Sequence, residues 1–251
     1  MIGTGVLTTV LGAAPEGVRN SRRGIVKTAD GDVEAFVKVL SPMEIIVECI
    51  CALVGQRLRL PVPQPLLVRV PGVHAGGTDT KLAFGSVAVP QGNFRWFFQR
   101  ENAAALRRLT AWAEVERAAS FDEWIANGDR HFGNILHDGR DEFWLIDHDQ
   151  AIPDDFAQSG ASERNWLLGV LVLNAGEDKL VQIARAVDVV AGEIAALAVA
   201  EAAQELPLAP FQPGMDQAVR RWLEGRKSHL PRLLAARVPT KQGRLFGGEN
   251  A

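Results

Sequence analysis

Two short stretches gather the side chains of this sequence that could do chemistry: "NGDRHFGNIL", Asn127 to Leu136, and "FWLIDHD", Phe143 to Asp149. The first crowds Asp129, Arg130, His131 and Asn134 into a segment too short for a regular helix. The second is an apolar run that ends at Asp147, His148 and Asp149. Carboxylate and amide oxygens are hard ligands suited to Mg²⁺. A further carboxylate can orient an attacking hydroxyl, and a cation can neutralise phosphate. Together these groups are what phosphoryl transfer asks of a protein.

Spacing strengthens the reading. Asp129 and Asn134 stand in the Asp-x4-Asn arrangement of a kinase catalytic loop. "NIL" and "FWLI" read as two strands joined by the polar turn "HDGRDE". Asn134 begins one strand and Asp147 ends the other, so closing the hairpin brings the two together. Asp129 lies in the loop before it.

The elements that must position these residues follow a simple order. "MIGTGVLTTVLGAAP" reads as a first strand. A polar loop, Gly12 to Gly24, comes next. "GIVKTADGDVEAFVKVL" reads as a hairpin turning at Ala29-Asp30-Gly31-Asp32. Val33, Ala35, Val37 and Val39 then share one face, and Lys38 points from the other. Ser41 and Pro42 open a helix with a capping box to Glu44. Glu48 lies one turn on, and the helix runs to about Leu58. "LPVPQP" ends it, "LLVRV" and "LAFGSVAV" read as strands, and Pro90 to Asn93 reads as a connector. Beyond it the chain turns helical, through "NAAALRRLTAWAEVERAASFDEWIANG" and an Ala-rich run from Leu180 to Leu206.

The expected fold class is therefore α+β and two-lobed, a protein-kinase-like fold. Residues 1–90 form a β-rich nucleotide-binding lobe with one helix, 91–238 a mainly helical catalytic lobe, and 239–251 a flexible tail. The 251 residues are 47% hydrophobic and 23% charged, with net charge −3, an ordinary globular balance that gives no sign of direct nucleic-acid binding. No apolar run approaches the ~20 residues of a membrane span, and the N-terminus lacks the basic residues of a signal peptide. Cys49 and Cys51 fall two apart on a helix and do not face each other, so they read as reduced thiols and the expected location is cytoplasmic.

"NGDRHFGNIL…FWLIDHDQA" resembles the HipA-like kinases and, more distantly, the phosphatidylinositol 3-/4-kinases, which carry Asp-Arg-His-x-x-Asn followed by an Ile-Asp pair. "AFVKVL", "VECICALVGQRLRLPVPQPLLV" and "LAFGS" resemble further segments of the HipA-like group, and the likeness spans Phe36 to Ala151. It implies an ATP- and Mg²⁺-dependent kinase acting on a hydroxyl of a protein Ser/Thr or of a smaller compound. It assigns Asp129 as base or orienting carboxylate, Asn134 and Asp147 as Mg²⁺ ligands, Lys38 as the cation on ATP phosphates and Glu48 as its partner. His131 matches the His of the lipid-kinase motif, a position from which it can stabilise charge on the transferred phosphoryl. Two departures stand out. His148 and Asp149 replace the Phe-Gly that follows the metal-binding Asp in protein kinases, and Gly12 to Gly24 is not a Gly-x-Gly-x-x-Gly loop. The length implies a compact kinase core without the extra N-terminal subdomain of full-length HipA.

Each residue also has a plainer reading. Asp129 and Asn134 suit a turn, Lys38 a solvated strand position, His131 a structural role, and Glu44 competes with Glu48 for the lysine. Aminoglycoside-phosphotransferase-like small-molecule kinases share Gly-Asp-x-His-x-x-Asn, usually with Leu at the place of Arg130. A nucleotide-binding pseudokinase is the non-enzymatic alternative. His137-Asp138 and His148-Asp149 raise a metal-dependent phosphohydrolase. In the tail, Gln242-x-x-Leu245-Phe246 resembles the bacterial sliding-clamp pentapeptide. The alternative is that Leu245 and Phe246 fold back on the core.

Overall fold

The structure, a computed structural model, describes residues 2–13, 21–89, 92–153, 156, 159–161 and 163–240. It belongs to the expected α+β class. Its first half comprises β1 (Gly3–Ala13), β2 (Arg22–Thr28), β3 (Gly31–Lys38), α1 (Pro42–Arg57), β4 (Pro65–Val70), α2 (Gly72–Ala75) and β5 (Lys81–Val87). The rest comprises β6 (Gly92–Asn93), α3 (Phe94–Ala111), α4 (Val115–Trp124), β7 (Ile135–His137), β8 (Phe143–Leu145), α5 (Trp166–Val172), α6 (Glu177–Ala196), α7 (Val199–Ala203), α8 (Met215–Lys227) and α9 (Leu230–Arg237).

The five strands before residue 90 close into a small barrel in the order β1-β2-β3-β5-β4, with β1 and β4 the parallel pair. Leu7, Val26, Ala35, Val37, Val68 and Ala83 fill it. The period-2 pattern of β3 works as expected: Ala35 and Val37 point inward and Lys38 outward. Val39 departs from it, lying past the strand end and exposed. Thr28 pairs with Gly31, so Ala29 and Asp30 are the turn residues, one position earlier than the sequence suggested. Gly31 follows at φ +128°, which a side chain would resist.

The expected loop from Gly12 to Gly24 is shorter at both ends. Gly12 and Ala13 belong to β1 and Arg22 to Gly24 to β2, while 14–20 lie outside the described residues. Gly24 permits a close strand approach, since a Cβ there would stand 2.5 Å from the Thr9 carbonyl oxygen. This half also holds a second helix, α2, one turn long between Pro71 and a left-handed Gly76.

Helix α1 starts as expected. Ser41 Oγ accepts from the Glu44 N–H at 3.3 Å, and Glu44 Oε2 accepts from the Ser41 N–H at 2.8 Å. Its "EIIVECICALVG" is apolar on every side, and such a helix is stable only when buried all round. Residues 45–55 are all buried. β4 and β5 cover one side, and α7 and α8 cover another. Cys49 and Cys51 are free and buried here, and burial pushes both thiols far above their ordinary range.

The long helical stretch after the connector is broken at Trp112, whose extended backbone separates α3 from α4. The Ala-rich run divides between Leu197 and Ala198 into α6 and α7. The connector is not loop throughout. Pro90 and Gln91 lie outside the described residues, but Gly92 and Asn93 pair with His137 and Leu136. The expected hairpin is thus part of a three-stranded sheet, β6-β7-β8. No helix among the described residues is long and apolar enough to cross a membrane. The tail motif at Gln242, Leu245 and Phe246 lies outside the described residues.

Candidate active site

A cavity of about 770 Å³ lies where the barrel, α1, α3 and the β7–β8 hairpin meet. Lys38, Glu48, Asp129, His131, Asn134 and Asp147 all line it, and Asp149, to which the sequence assigned no role in the kinase site, lines it too. Apolar groups such as Phe36, Phe84, Leu136 and Leu145 form other parts of the wall.

The hairpin register explains how the loop and strand ends meet. Ile135 pairs with Leu145 and His137 with Phe143. The Ile146 N–H donates to the Asn134 carbonyl at 3.2 Å, so Asp147 emerges beside the start of β7. Asn134 itself closes a 3₁₀ turn, Phe132–Asn134, rather than opening the strand. At the far end, Asp138 Oδ1 accepts from the N–H groups of Arg140 at 2.7 Å and Glu142 at 3.1 Å. Asp147 has φ +66°, a left-handed backbone that Asp tolerates better than most residues.

Lys38 Nζ forms an ion pair with Asp147 Oδ1 and lies 3.7 Å from Glu48 Oε1 and 3.9 Å from Asp149 Oδ2. Burial disfavours the Lys38 ammonium, but the charges of Glu48 and Asp147 outweigh this and raise its pKa. Burial also pushes the Asp147 carboxyl up, and Lys38 more than compensates and holds it below its ordinary value. Glu48, 1% exposed, also accepts from the His148 N–H at 2.9 Å. It is therefore Glu48 that reaches the lysine, while Glu44 is committed to the cap.

The donor set fits a hard divalent cation. Ligand oxygens of Glu48, Asp147 and Asp149 lie within 4.8 Å of one another. Among the described residues, three carboxylates gather around the Lys38 ammonium in a largely buried place, where negative charge favours a counter-ion. Glu48 Oε1 is buried and accepts no hydrogen bond. Such oxygens suit Mg²⁺.

The loop before the hairpin is held by a residue to which the sequence assigned no site role. Arg130 is fully buried. Its Nε and Nη2 donate to the Asp122 carboxylate at 2.9 and 3.0 Å. Its Nη1 donates to the carbonyls of Asn134 at 2.7 Å and Ile146 at 2.6 Å. One guanidinium thus joins α4, the loop and the residue before Asp147. Asp129 remains exposed, with Asn134 Nδ2 donating to its carbonyl at 3.0 Å and reaching its carboxylate at 3.4 Å. His131 Nδ1 accepts from the Gly133 N–H at 2.9 Å, leaving Nε2 as the donor nitrogen.

The His-Asp pairs reach the cavity lining but do not come together as one metal cluster. His137 is buried and stacks on Phe143, and Asp138 shapes the turn. His148 packs against Glu48, with Nδ1 at 3.4 Å from Oε2. The possible metal cluster among the described residues contains no histidine.

Comparison with known proteins bears on this arrangement. A family model, HipA-like kinase, matches residues 25–165, more than half of the chain. The chain belongs to the HipA-like kinase family. Phosphotransfer is thereby the general activity of this kinase. The matched segment contains Lys38, Glu48 and the whole loop and hairpin. No curated protein matches the sequence. Among solved structures, the kinase is similar to the Helicobacter pylori proinflammatory kinase CtkA, with a TM-score of 0.51 and 13% identity, over 91% of this chain and 94% of that one. At that identity the likeness speaks for the fold.

Proposed function

We propose that this kinase transfers the γ-phosphoryl group of ATP, with Mg²⁺, to a hydroxyl of a protein Ser or Thr. The observation that carries the reading is the convergence of Lys38, Glu48, Asp129, Asn134 and Asp147 on one cavity. In this reading the molecule is two-lobed, with 1–90 as the nucleotide lobe and 91–238 as the catalytic lobe. The apolar wall at Phe36, Phe84, Leu136 and Leu145 receives the base.

Lys38, held by Glu48, binds the phosphates as a point charge. Asp147 and Asn134 hold Mg²⁺, with Asp149 and Glu48 near enough to complete or tune its surroundings. When bound, the ion offsets phosphate charge. Asp129 accepts the hydrogen bond of the acceptor hydroxyl and aligns it for in-line attack. The donor nitrogen of His131 stands to receive charge that develops on the transferred group. The location expected for these steps is the cytoplasm.

Incubation of the purified protein with labelled ATP and Mg²⁺, alone and with cell lysate, followed by mass spectrometry, tests the reading. Phosphoserine or phosphothreonine on defined proteins is the expected result. Label appearing only in small molecules rejects the protein acceptor, and no transfer at all rejects catalysis.

A further inference from the structure

The cavity has a second cation, Arg95, that the proposed chemistry does not use. It sits in the first turn of α3, and that turn is pinned to the catalytic loop. Asn93 Nδ2 donates to the Gly133 carbonyl at 2.7 Å, and Asn93 Oδ1 caps the helix by accepting from the Arg95 N–H at 2.8 Å. A methyl group placed on Gly133 would stand 2.7 Å from Arg95 Nη2 and 3.0 Å from His131 Nδ1. Guanidinium and imidazole therefore converge over a glycine that leaves room for both.

Arg95 is half-buried, yet no carboxylate among the described residues lies within ion-pair distance of it. Asp129 and Asp138 line the same cavity without pairing with it. Other arginines nearby are engaged: Arg130 by Asp122, and Arg108 by the carbonyls of Gly139 and Arg140. A partly desolvated guanidinium without an anion is unfavourable, and its planar fork matches an oxyanion. An oxyanion from outside would satisfy it. Lys38 occupies the acidic cluster with Asp147. Arg95 lies over the loop that begins with Asp129, the carboxylate assigned to the acceptor.

We propose that Arg95 selects the acceptor by pairing with an oxyanion, a carboxylate or phosphate side chain, carried close to the hydroxyl that is phosphorylated. The inference rests on the Ser/Thr-kinase reading for the hydroxyl, but Arg95 has its own chemistry and its own readout. Trp96, exposed beside it with Arg100 stacked 3.7 Å over its ring, continues the cationic surface from the cavity mouth.

The test uses the full chain and four synthetic Ser peptides that differ only in carrying Gln, Glu, phosphoserine or Lys close to the target Ser. Binding is measured by calorimetry with MgATP analogue present, and phosphate incorporation is measured in parallel. The wild type is expected to bind the Glu or phosphoserine peptide about tenfold more tightly than the Gln peptide, the scale of a charge-assisted contact. The better of the two identifies the oxyanion. Arg95→Gln should abolish the preference, and Arg95→Glu should turn it toward the Lys peptide. Equal binding of all peptides by the wild type overturns the inference. So does an acid preference that survives in both variants, or a change confined to nucleotide affinity. Acid-selective binding with no phosphate on any peptide would support Arg95 and reject the Ser/Thr-kinase reading instead.

Discussion

Arg130 sets the geometry at the scale of single residues. Its guanidinium satisfies a buried carboxylate and two carbonyls at once. Arg130→Ala would strand the Asp122 charge in the interior, and breaking such a pair costs about 3–5 kcal/mol. The expected result is a large fall in the denaturation midpoint. Arg130→Lys should not restore it, because one ammonium cannot span three acceptors arranged around a planar fork. Asp129 is the opposite case. It is exposed and bears little structure, so Asp129→Asn should leave the melting temperature and ATP affinity near wild type. Phosphoryl transfer should fall by on the order of 10²-fold or more. The loop's Asp-x4-Asn spacing was legible from sequence. The role of Arg130 was not, because its partners come from α4 and from the far strand and meet only on folding. Asp149 escaped for a related reason. Its relation to Asp147 depends on the left-handed backbone at Asp147, which the residue letters do not display.

At the scale of elements, glycines separate close approach from mere permissiveness. At Gly24 a Cβ would meet the backbone oxygen of Thr9, which cannot move without opening β1 from β2. Gly24→Ala should cost about 1–3 kcal/mol, the range for overpacking, and should loosen the barrel. Gly192, within α6, has nothing within 4 Å of a Cβ. Gly192→Ala should stabilise the protein by about 0.5–1 kcal/mol through the unfolded chain and helix propensity. Paired denaturant titrations check both signs. The elements that sequence located well, such as α1 with its capping box and β3 with its alternation, carry local signals. β6 was missed because two residues give no period, and its pairing with β7 is decided by tertiary contact. Strand closure into a barrel was missed because the parallel β1–β4 contact joins segments about sixty residues apart.

For the whole molecule, the decisive property is ligand linkage. A ligand that binds only the folded state adds about 2.7 kcal/mol at a hundred times its dissociation constant. For a chain of this size that corresponds to a rise of roughly 5–10 °C in melting temperature. MgATP should produce such a rise in the wild type. It should produce little in Lys38→Met or Asp147→Asn, since one loses the proposed phosphate cation and the other a proposed metal ligand. Chelation with EDTA should remove most of the rise in the wild type. An equal rise in all three proteins would place the nucleotide elsewhere. At this scale the sequence disclosed the order, strands before helices. It did not disclose that α1 is shared between the barrel side and the helices behind it, because an all-round apolar helix does not say which surfaces will cover it.

That shared burial has a consequence for how the protein breathes. α1 carries Glu48, and Glu48 fixes both Lys38 and the His148 backbone. Turning this helix outward would uncover apolar side chains on two faces at once. Its amides should therefore open only when the whole chain unfolds. In deuterium, residues 46–56 should exchange among the slowest of the protein, with the same opening free energy as global denaturation. Adding MgATP should slow them only as far as it stabilises everything else. Early exchange in α1 would reveal a hinge beside the Lys38–Glu48 pair. Its absence would mean that Glu48 keeps its contacts with Lys38 and the His148 backbone until the whole chain unfolds.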